Sequence, residues 1–280
     1  MANVAFITGA SRGIGRATAL AFARAGYDLA LSARTLEQGD THQHSITDKD
    51  GKPLGGSLAE TAEAARRFGV EVKVVPMDLL DAESVDRAVA TIVEHFGHLD
   101  VLINNAIYQG PDLNARFLDL SPETLERMAR GYILAPVQIT QKVLPGMLAR
   151  GQGCIINLTS GAGESDPPVP ADQGGWGYAY GAGKAAVSRL SGILAREHGH
   201  AGIRAFTVNP GVVNTETLRA TIGERGVQAL GKGVVEPELP AAALLWLATR
   251  AEADAFQYQT IHAQPFAREQ GIDAQPLEQE

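Results

Sequence analysis

Between Val4 and Ala25 the chain leaves few folds open. It reads VAFI, TGASRGIG and RATALAFARA in succession. Val4–Ile7 is a short apolar run with β-branched residues, too short for a helix, and is expected to be a buried strand. Thr8–Gly15 carries Gly9, Gly13 and Gly15. After it, Ile14, Ala17, Ala21, Phe22 and Ala25 recur at helical spacing, and Gly26 closes the helix. A strand, a glycine turn and a helix in this order leave the first helical N–H groups unpaired and facing outward, a seat for a pyrophosphate. In that reading Gly9 permits the tight turn, Gly13 lets backbone approach the ligand, and Gly15 lets helix pack on strand. The same string also fits a plain glycine-rich turn between strand and helix.

Composition narrows the classes. At 280 residues the chain is at the upper limit for one compact domain and long enough for a large core. Apolar residues make up 45% and charged residues 20%, the balance of an ordinary soluble globule. A formal net charge of −8 argues against a nucleic-acid or anionic-membrane partner. No apolar run approaches the ~20 residues needed to span a bilayer. The first strand begins so early that no signal peptide is expected before it. Cys154 is the sole cysteine, so no intrachain disulfide forms, which fits the reducing cytoplasm as the expected location.

Further strands are expected at Asp28–Ser32, Glu71–Pro76, Val101–Ile103, Gly153–Leu158, Ile203–Val208 and Thr260–Ala263, alternating with helices. The alternation implies a single α/β domain of the doubly wound kind, a mostly parallel sheet covered on both faces, with ligands along the strands' C-terminal ends. The domain is expected to span residues 1–268, with a substrate loop at about 212–239 and a polar tail over 269–280. Ser121-Pro122-Glu123 starts a helix running towards Ala149, which Pro136 is expected to bend. Glu216–Glu236 is polar with scattered apolar residues and reads as a mobile lid.

Several positions at strand ends carry chemistry. After the second strand the chain reads Ser32-Ala33-Arg34, with no carboxylate to hold a ribose 2′-OH. Arg34, helped by Arg12 in the glycine loop, would pair with a 2′-phosphate, which favours NADP over NAD; otherwise both are solvated surface residues. The segment Thr35–Ser57 is polar and without periodicity, a long loop. Its His42 and His44 are expected to be solvated rather than metal-bound, since no further ligands are spaced nearby, and no metal site is expected. Asp78 either hydrogen-bonds an adenine amino group or serves as a turn or cap. Asn104-Asn105-Ala106 either borders a ribose or makes a structural Asx turn. Tyr180 and Lys184 stand at i and i+4, on one helix face. A phenol near pKa ~10 is a poor base at neutral pH. An ammonium about 4 Å away contributes ~4 kcal/mol at an effective dielectric near 20, enough to lower the phenol pKa by up to ~3. The pair is thus a candidate general acid/base for an alcohol or carbonyl, with a hydroxyl such as Ser160 orienting the substrate oxygen.

These pieces occur in one order: Thr8-Gly-x-x-x-Gly-Ile-Gly15, Asp78, Asn104-Asn-Ala, Ser160, Tyr180/Lys184 and Pro210-Gly211. In that combination the chain, from roughly Val4 to Ala263, resembles the short-chain dehydrogenase/reductase family. The resemblance implies one Rossmann-type domain of about seven parallel strands and a site in which Ser160 and Tyr180 hold a substrate carbonyl. Tyr180 then passes the proton, while Lys184 lowers its pKa and binds the nicotinamide ribose. It implies pyrophosphate contacts from Gly9, Ser11, Arg12, Gly13, Ile14 and Gly15, adenine contacts from Asp78 and Leu79, and a ribose lining from Asn105 and Ala106. Pro210, Gly211, Val213 and Thr215 would meet nicotinamide, and Arg34 stands where NADP-preferring members often have arginine. A homodimer or homotetramer is the usual assembly. The implied activity is NADP(H)-dependent interconversion of a secondary alcohol and a ketone, on a small-molecule substrate.

Three departures bear on this. Tyr132 falls where the family's proton relay usually has an asparagine, and a phenol cannot copy an amide's reach. Ile107 follows Asn-Asn-Ala where glycine is usual, which is expected to narrow space near the cofactor. The stretch from Ser160 to Tyr180 is longer than usual, and its prolines with Trp176 and Tyr178 are expected to shape the substrate mouth. Tyr132 and Ile107 also keep open an alternative: a cofactor-binding regulator with weak or lost catalysis.

Overall fold

The structure, a computed structural model, describes residues 2–274. Its chain begins with β1 (Val4–Thr8), α1 (Gly13–Arg24), β2 (Asp28–Ala33), α2 (Leu58–Arg66), β3 (Val72–Pro76), α3 (Ala82–Phe96) and β4 (Val101–Asn104). Then follow α4 (Pro122–Met128), α5 (Ala135–Arg150), β5 (Gly153–Leu158), α6 (Tyr178–His198) and β6 (Ile203–Asn209). The chain closes with β7 (Val212–Val213), α7 (Glu216–Leu230), β8 (Val234–Val235), α8 (Glu238–Thr249), β9 (Thr260–His262) and α9 (Ala263–Glu269). Seven strands pair in the order β3-β2-β1-β4-β5-β6-β9, every pair parallel. The order reverses between β1 and β4, so the turns leaving those two strands diverge and leave a crevice at their C-terminal ends.

Strand side chains alternate between two cores, as a period of two requires. Ala5, Ile7, Leu29, Leu31, Ile103, Ile156 and Val208 pack with apolar residues of α1, α2, α8 and α9. Val4, Phe6, Ala30, Leu102, Ile155 and Ala205 pack on the other face against Val85, Val89 and Ile92 of α3, Ile139 and Val143 of α5, and Leu194 of α6. Helix ends follow local chemistry. Asp81 caps α3 by accepting the Glu83 N–H at 2.9 Å, and Ser121 caps α4 by accepting the Thr124 N–H at 3.2 Å. Among the described residues no helix is long and apolar enough to cross a membrane.

The structure refines three expectations. The helix after Ser121 passes through a π-helical turn, Ala129–Leu134, just before Pro136, and in it the Ala135 N–H reaches Arg130 O. Pro136, at the start of α5, has no N–H to continue an α ladder, and the wider turn accommodates that gap. The polar stretch from Glu216 forms α7, with a non-helical break at Gly223 (φ 70°, ψ 167°). Of the tail expected over 269–280, residues 275–280 lie outside the described residues, while Ile272 packs against the α8–α9 core.

Candidate active site

β5 delivers Ser160 two residues beyond its end, and α6 is bolted to that same strand end. Thr159 Oγ1 donates to Lys184 O at 3.0 Å and meets Ser188 Oγ at 2.7 Å, while Lys184 Nζ donates to Leu158 O at 2.9 Å. One turn before Lys184 on the helix, Tyr180 stands where the Ser160 side chain acts on its phenol. Ser160 Oγ also accepts the Ala162 N–H at 3.3 Å, which caps the short turn that follows. Tyr132, brought in by the π-helical turn, stands edge-to-face with Tyr180, ring centroids 6.4 Å apart and planes at 87°. Lys184 Nζ sits 5.8 Å from the centroid of the Tyr132 ring. The four residues expected to carry chemistry are therefore in one place.

Their electrostatics differ from the expectation. Burial raises the Tyr180 pKa, and the Ser160 side chain pulls the other way. Burial lowers Lys184 to about 7. The lysine was expected to act as a full ammonium beside the phenol. Instead its nitrogen is bound to a main-chain carbonyl in a water-poor position, where its charge is marginal at neutral pH, so desolvation governs both groups. Tyr132 is 1% exposed, its hydroxyl has no hydrogen-bond partner, and burial drives its pKa well up.

The glycine turn is a built cradle. Gly9 and Gly13 have φ of 69° and 52°, and a β-carbon on Gly9 would stand 2.8 Å from Asn105 Nδ2. Asn105 Nδ2 donates to Thr8 O at 2.8 Å and to Gly9 O at 3.2 Å, and the Ala106 N–H donates to Thr8 Oγ1 at 3.0 Å. Asn105 thus holds the turn itself, and Asn104 looks inward, donating to Asn157 Oδ1 at 2.8 Å. No side chain caps α1, so its first N–H groups are left for a ligand. Ser11 is buried beside them, and Ile14 packs into the α1 core. Thr215 meets this turn from α7, its Cγ2 3.1 Å from the place of a Gly13 β-carbon. Pro210 and Gly211 follow β6, the Gly211 N–H donating to Asn209 Oδ1 at 3.0 Å, and Val213 is buried in β7.

At the far end of the crevice Arg34 donates to Gln43 O at 3.1 Å and to Ser45 Oγ at 2.8 Å. Arg12 donates to Thr35 Oγ1 at 3.2 Å and to Gly56 O at 3.1 Å, and its Nε stays unpartnered. Asp78 Oδ1 accepts the Leu80 N–H at 2.9 Å, and the Leu79 side chain is buried in the α3 core, leaving only main chain to an adenine. His44 is exposed, and His42 is half-buried, its Nε2 enclosed without a partner. Three buried unpartnered polar atoms, Arg12 Nε, Ser32 Oγ and His42 Nε2, suit a polar ligand along this crevice, as does the uncapped helix. Those residues fit a dinucleotide.

Sequence reasoning missed three features. Glu216 Oε2 is buried without a hydrogen-bond partner beside Gly13. Asn209, Glu164 and His262 meet where β6, β9 and the turn after Ser160 converge, Asn209 Nδ2 donating to Glu164 Oε1 at 3.1 Å and His262 Nε2 lying 3.3 Å from Glu164 Oε2. Tyr108 donates to Asp112 Oδ1 at 2.7 Å, and Arg127 and Thr124 bind the other carboxylate oxygen. Ile107 packs against the same cluster of Tyr108, Leu113, Met128 and Tyr132. A pocket of ≈ 210 Å³ is lined by Phe117, Pro170, Trp176 and Tyr178 among others. A larger cavity of ≈ 440 Å³ opens at the opposite end of the sheet around His98, Asp100 and Arg150, whose polar groups satisfy one another.

A doubly wound sheet, a glycine turn at its switch point and a Ser-Tyr-Lys cluster at the end of β5 define an oxidoreductase of the nicotinamide-nucleotide class. Comparison with known proteins agrees. The family described as Enoyl-(Acyl carrier protein) reductase matches residues 9–262. A sulfoacetaldehyde reductase of Chromohalobacter salexigens is 31% identical over 236 residues, 83% of this chain and 82% of that protein. The structure of a short chain dehydrogenase from Mycobacterium paratuberculosis bound to NAD superposes with a TM-score of 0.75 at 25% identity, covering 93% of this chain and 95% of that one. L-sorbose reductase from Gluconobacter frateurii, complexed with NADPH and L-sorbose, gives 0.75 at 28% identity, covering 93% and 94%. The chain belongs to the short-chain dehydrogenase/reductase family.

Proposed function

We propose that this chain interconverts a secondary alcohol and a ketone with NADP(H) as cofactor, and that the reductive direction suits its resting site. The observation that carries the reading is the placement of Tyr180 against Ser160, whose side chain acts on its phenol, one helical turn before the buried Lys184. When bound, the reduced nicotinamide supplies a hydride to the carbonyl carbon. Ser160 Oγ–H and Tyr180 Oη–H point two donors at one substrate oxygen, and Tyr180 passes its proton there as negative charge develops. Burial keeps Tyr180 protonated at neutral pH, the state an acid needs. Lys184, at about 7, exchanges protons near neutrality and is suited to restoring the phenol. Tyr132 is a positioning residue in this reading: its ring face seats the lysine nitrogen.

The glycine turn from Gly9 to Gly15 would hold the pyrophosphate, Asp78 and the Leu79 main chain the adenine, and Ala106 a ribose. Pro210, Gly211, Val213 and Thr215 would border the nicotinamide. Arg12 and Arg34 favour a 2′-phosphate, because Arg34, and no carboxylate, follows β2 directly and Arg12 reaches the same place from the glycine turn, donating to Thr35. A homodimer or homotetramer accords with apolar side chains left outside, Leu134 at 52% and Ile193 at 51% exposure. The test is a panel of ketones and aldehydes with NADPH and NADH, run beside Tyr180→Phe. Turnover of at least one ketone is expected, lost in the variant while NADPH affinity stays within twofold. Tight NADPH binding with no turnover across the panel would point to the regulator instead.

A further inference from the structure

Buried polar atoms without partners ask for an explanation. Three belong to the end of β2, the glycine turn and the segment after the strand. Ser32 Oγ belongs to the strand, whose Ser32 O accepts the Ala10 N–H at 3.1 Å and so ties it to the glycine turn. Arg12 Nε comes from that turn. His42 Nε2 comes from the middle of the segment that follows the strand.

That segment, residues 34–57, is clamped at both ends although it has no regular elements. Arg34 holds Gln43 and Ser45, and Arg12 holds Thr35 and Gly56. Gln38 Oε1 accepts the Gly56 N–H at 2.9 Å, and Asp40 Oδ2 accepts the N–H groups of Leu36 and Glu37 at 2.9 Å each. Gly56, at φ 93°, packs so closely on the glycine turn that a β-carbon there would stand 2.6 Å from Ser11 O. The segment therefore returns onto the nucleotide crevice, and His42 lies where it feels Arg34, Arg12, Asp40 and Asp78 together.

We propose that His42 reads a phosphomonoester on the adenosine ribose, its Nε2 joining the guanidiniums of Arg34 and Arg12 as a third donor, with segment 34–57 as the clamp that carries it. The proposal rests on the nucleotide reading above and adds a residue to it. A phosphate there would accept from Nε2–H and from Arg12 Nε–H, two of the atoms now unpartnered. Burial and the two arginines hold the ring below its usual pKa, while Asp40 and Asp78 act in the other direction. A dianion seated beside the ring favours the imidazolium, so binding takes up a proton and weakens as pH rises past the lowered pKa of the free ring.

The test uses the full chain and two probes that differ by one group: adenosine 2′,5′-bisphosphate and adenosine 5′-monophosphate, titrated calorimetrically. The wild type is expected to bind the bisphosphate at least tenfold more tightly. His42→Ala is expected to cut that ratio at least fivefold through the bisphosphate alone. His42→Gln, which keeps a donor but no charge, is expected to keep part of the ratio and lose its decline with pH. An unchanged ratio in folded His42→Ala, or equal weakening of both probes, overturns the role of His42 and leaves the 2′-phosphate reading standing. Equal affinity of the wild type for both probes overturns both.

Discussion

Tyr132 and Gly183 are fitted to one another: a β-carbon on Gly183 would stand 2.7 Å from Tyr132 Cδ1 and 2.8 Å from its Cγ. The ring fills the space that the missing side chain leaves, and it is this fit that brings the ring face to Lys184 and its edge-to-face contact to Tyr180. Gly183→Ala is expected to destabilise the fold by ~1–3 kcal/mol through overpacking. Tyr132→Asn leaves a cavity and is expected to cost about 3–5 kcal/mol. Because the two act on one space, the double variant should lose less than the sum. Urea unfolding of the four proteins checks this, and strict additivity would show that the fit is not felt.

Lys184 gives stability a pH slope of known sign. Its pKa falls from 10.5 in the unfolded chain to about 7 in the folded one. Between those values the unfolded chain holds a proton that the folded chain lacks, so unfolding becomes harder as pH rises, by up to ~1.4 kcal/mol per pH unit. Below about 7 both states are protonated and the contribution is flat. Lys184→Met is expected to abolish this slope, to be more stable than wild type near neutrality, and to lose turnover. Denaturation midpoints between pH 6 and 10 decide it; a wild-type curve parallel to the variant's would mean that the lysine is solvated.

How much of this was legible beforehand follows from range. The glycine turn, Ser160 and the Tyr180/Lys184 pair sit at strand ends or on one helix face, and periodicity locates such places. The side chains' partners do not follow from spacing. Lys184 binds a carbonyl 26 positions away, and Asn105 locks a turn 96 away. His42 was least accessible, because a polar segment without periodicity gives no direction to its side chains; its one signal is that it follows Arg34 closely. Burial also decided the sign at Tyr180, and burial is a property of the folded whole.

The loop after β4 is held by Asp112. Burial opposes its ionisation, but hydrogen bonds from Thr124, Tyr108 and Arg127 outweigh it and bring the carboxyl from 3.8 to about 2. The stabilisation is complete above 3.8 and fades as pH falls towards 2. The side chain is 33% exposed, so solvent screening reduces the effect. Asp112→Asn is expected to cost ~1 kcal/mol at pH 7 and almost nothing near pH 2. Thermal melts at the two pH values test it, and an equal loss at both would assign the effect to packing rather than charge.

Glu216 places a carboxylate at the anion seat. Its Oε2 is buried without a hydrogen-bond partner, 3.6 Å from the place of a Gly13 β-carbon, and its charge acts on Arg12. A pyrophosphate at the proposed seat on the α1 N-terminus would meet that carboxylate as a like charge at close range, which is unfavourable where water is scarce. Glu216→Gln keeps the shape and removes the charge, so NADPH affinity is expected to rise about fivefold, or ~1 kcal/mol. NADH affinity should rise by the same factor, since both cofactors share the pyrophosphate. Nucleotide fluorescence titrations measure both. Weaker binding in the variant would mean that Glu216 supports Arg12 in its binding pose, with the gain from their attraction exceeding the repulsion.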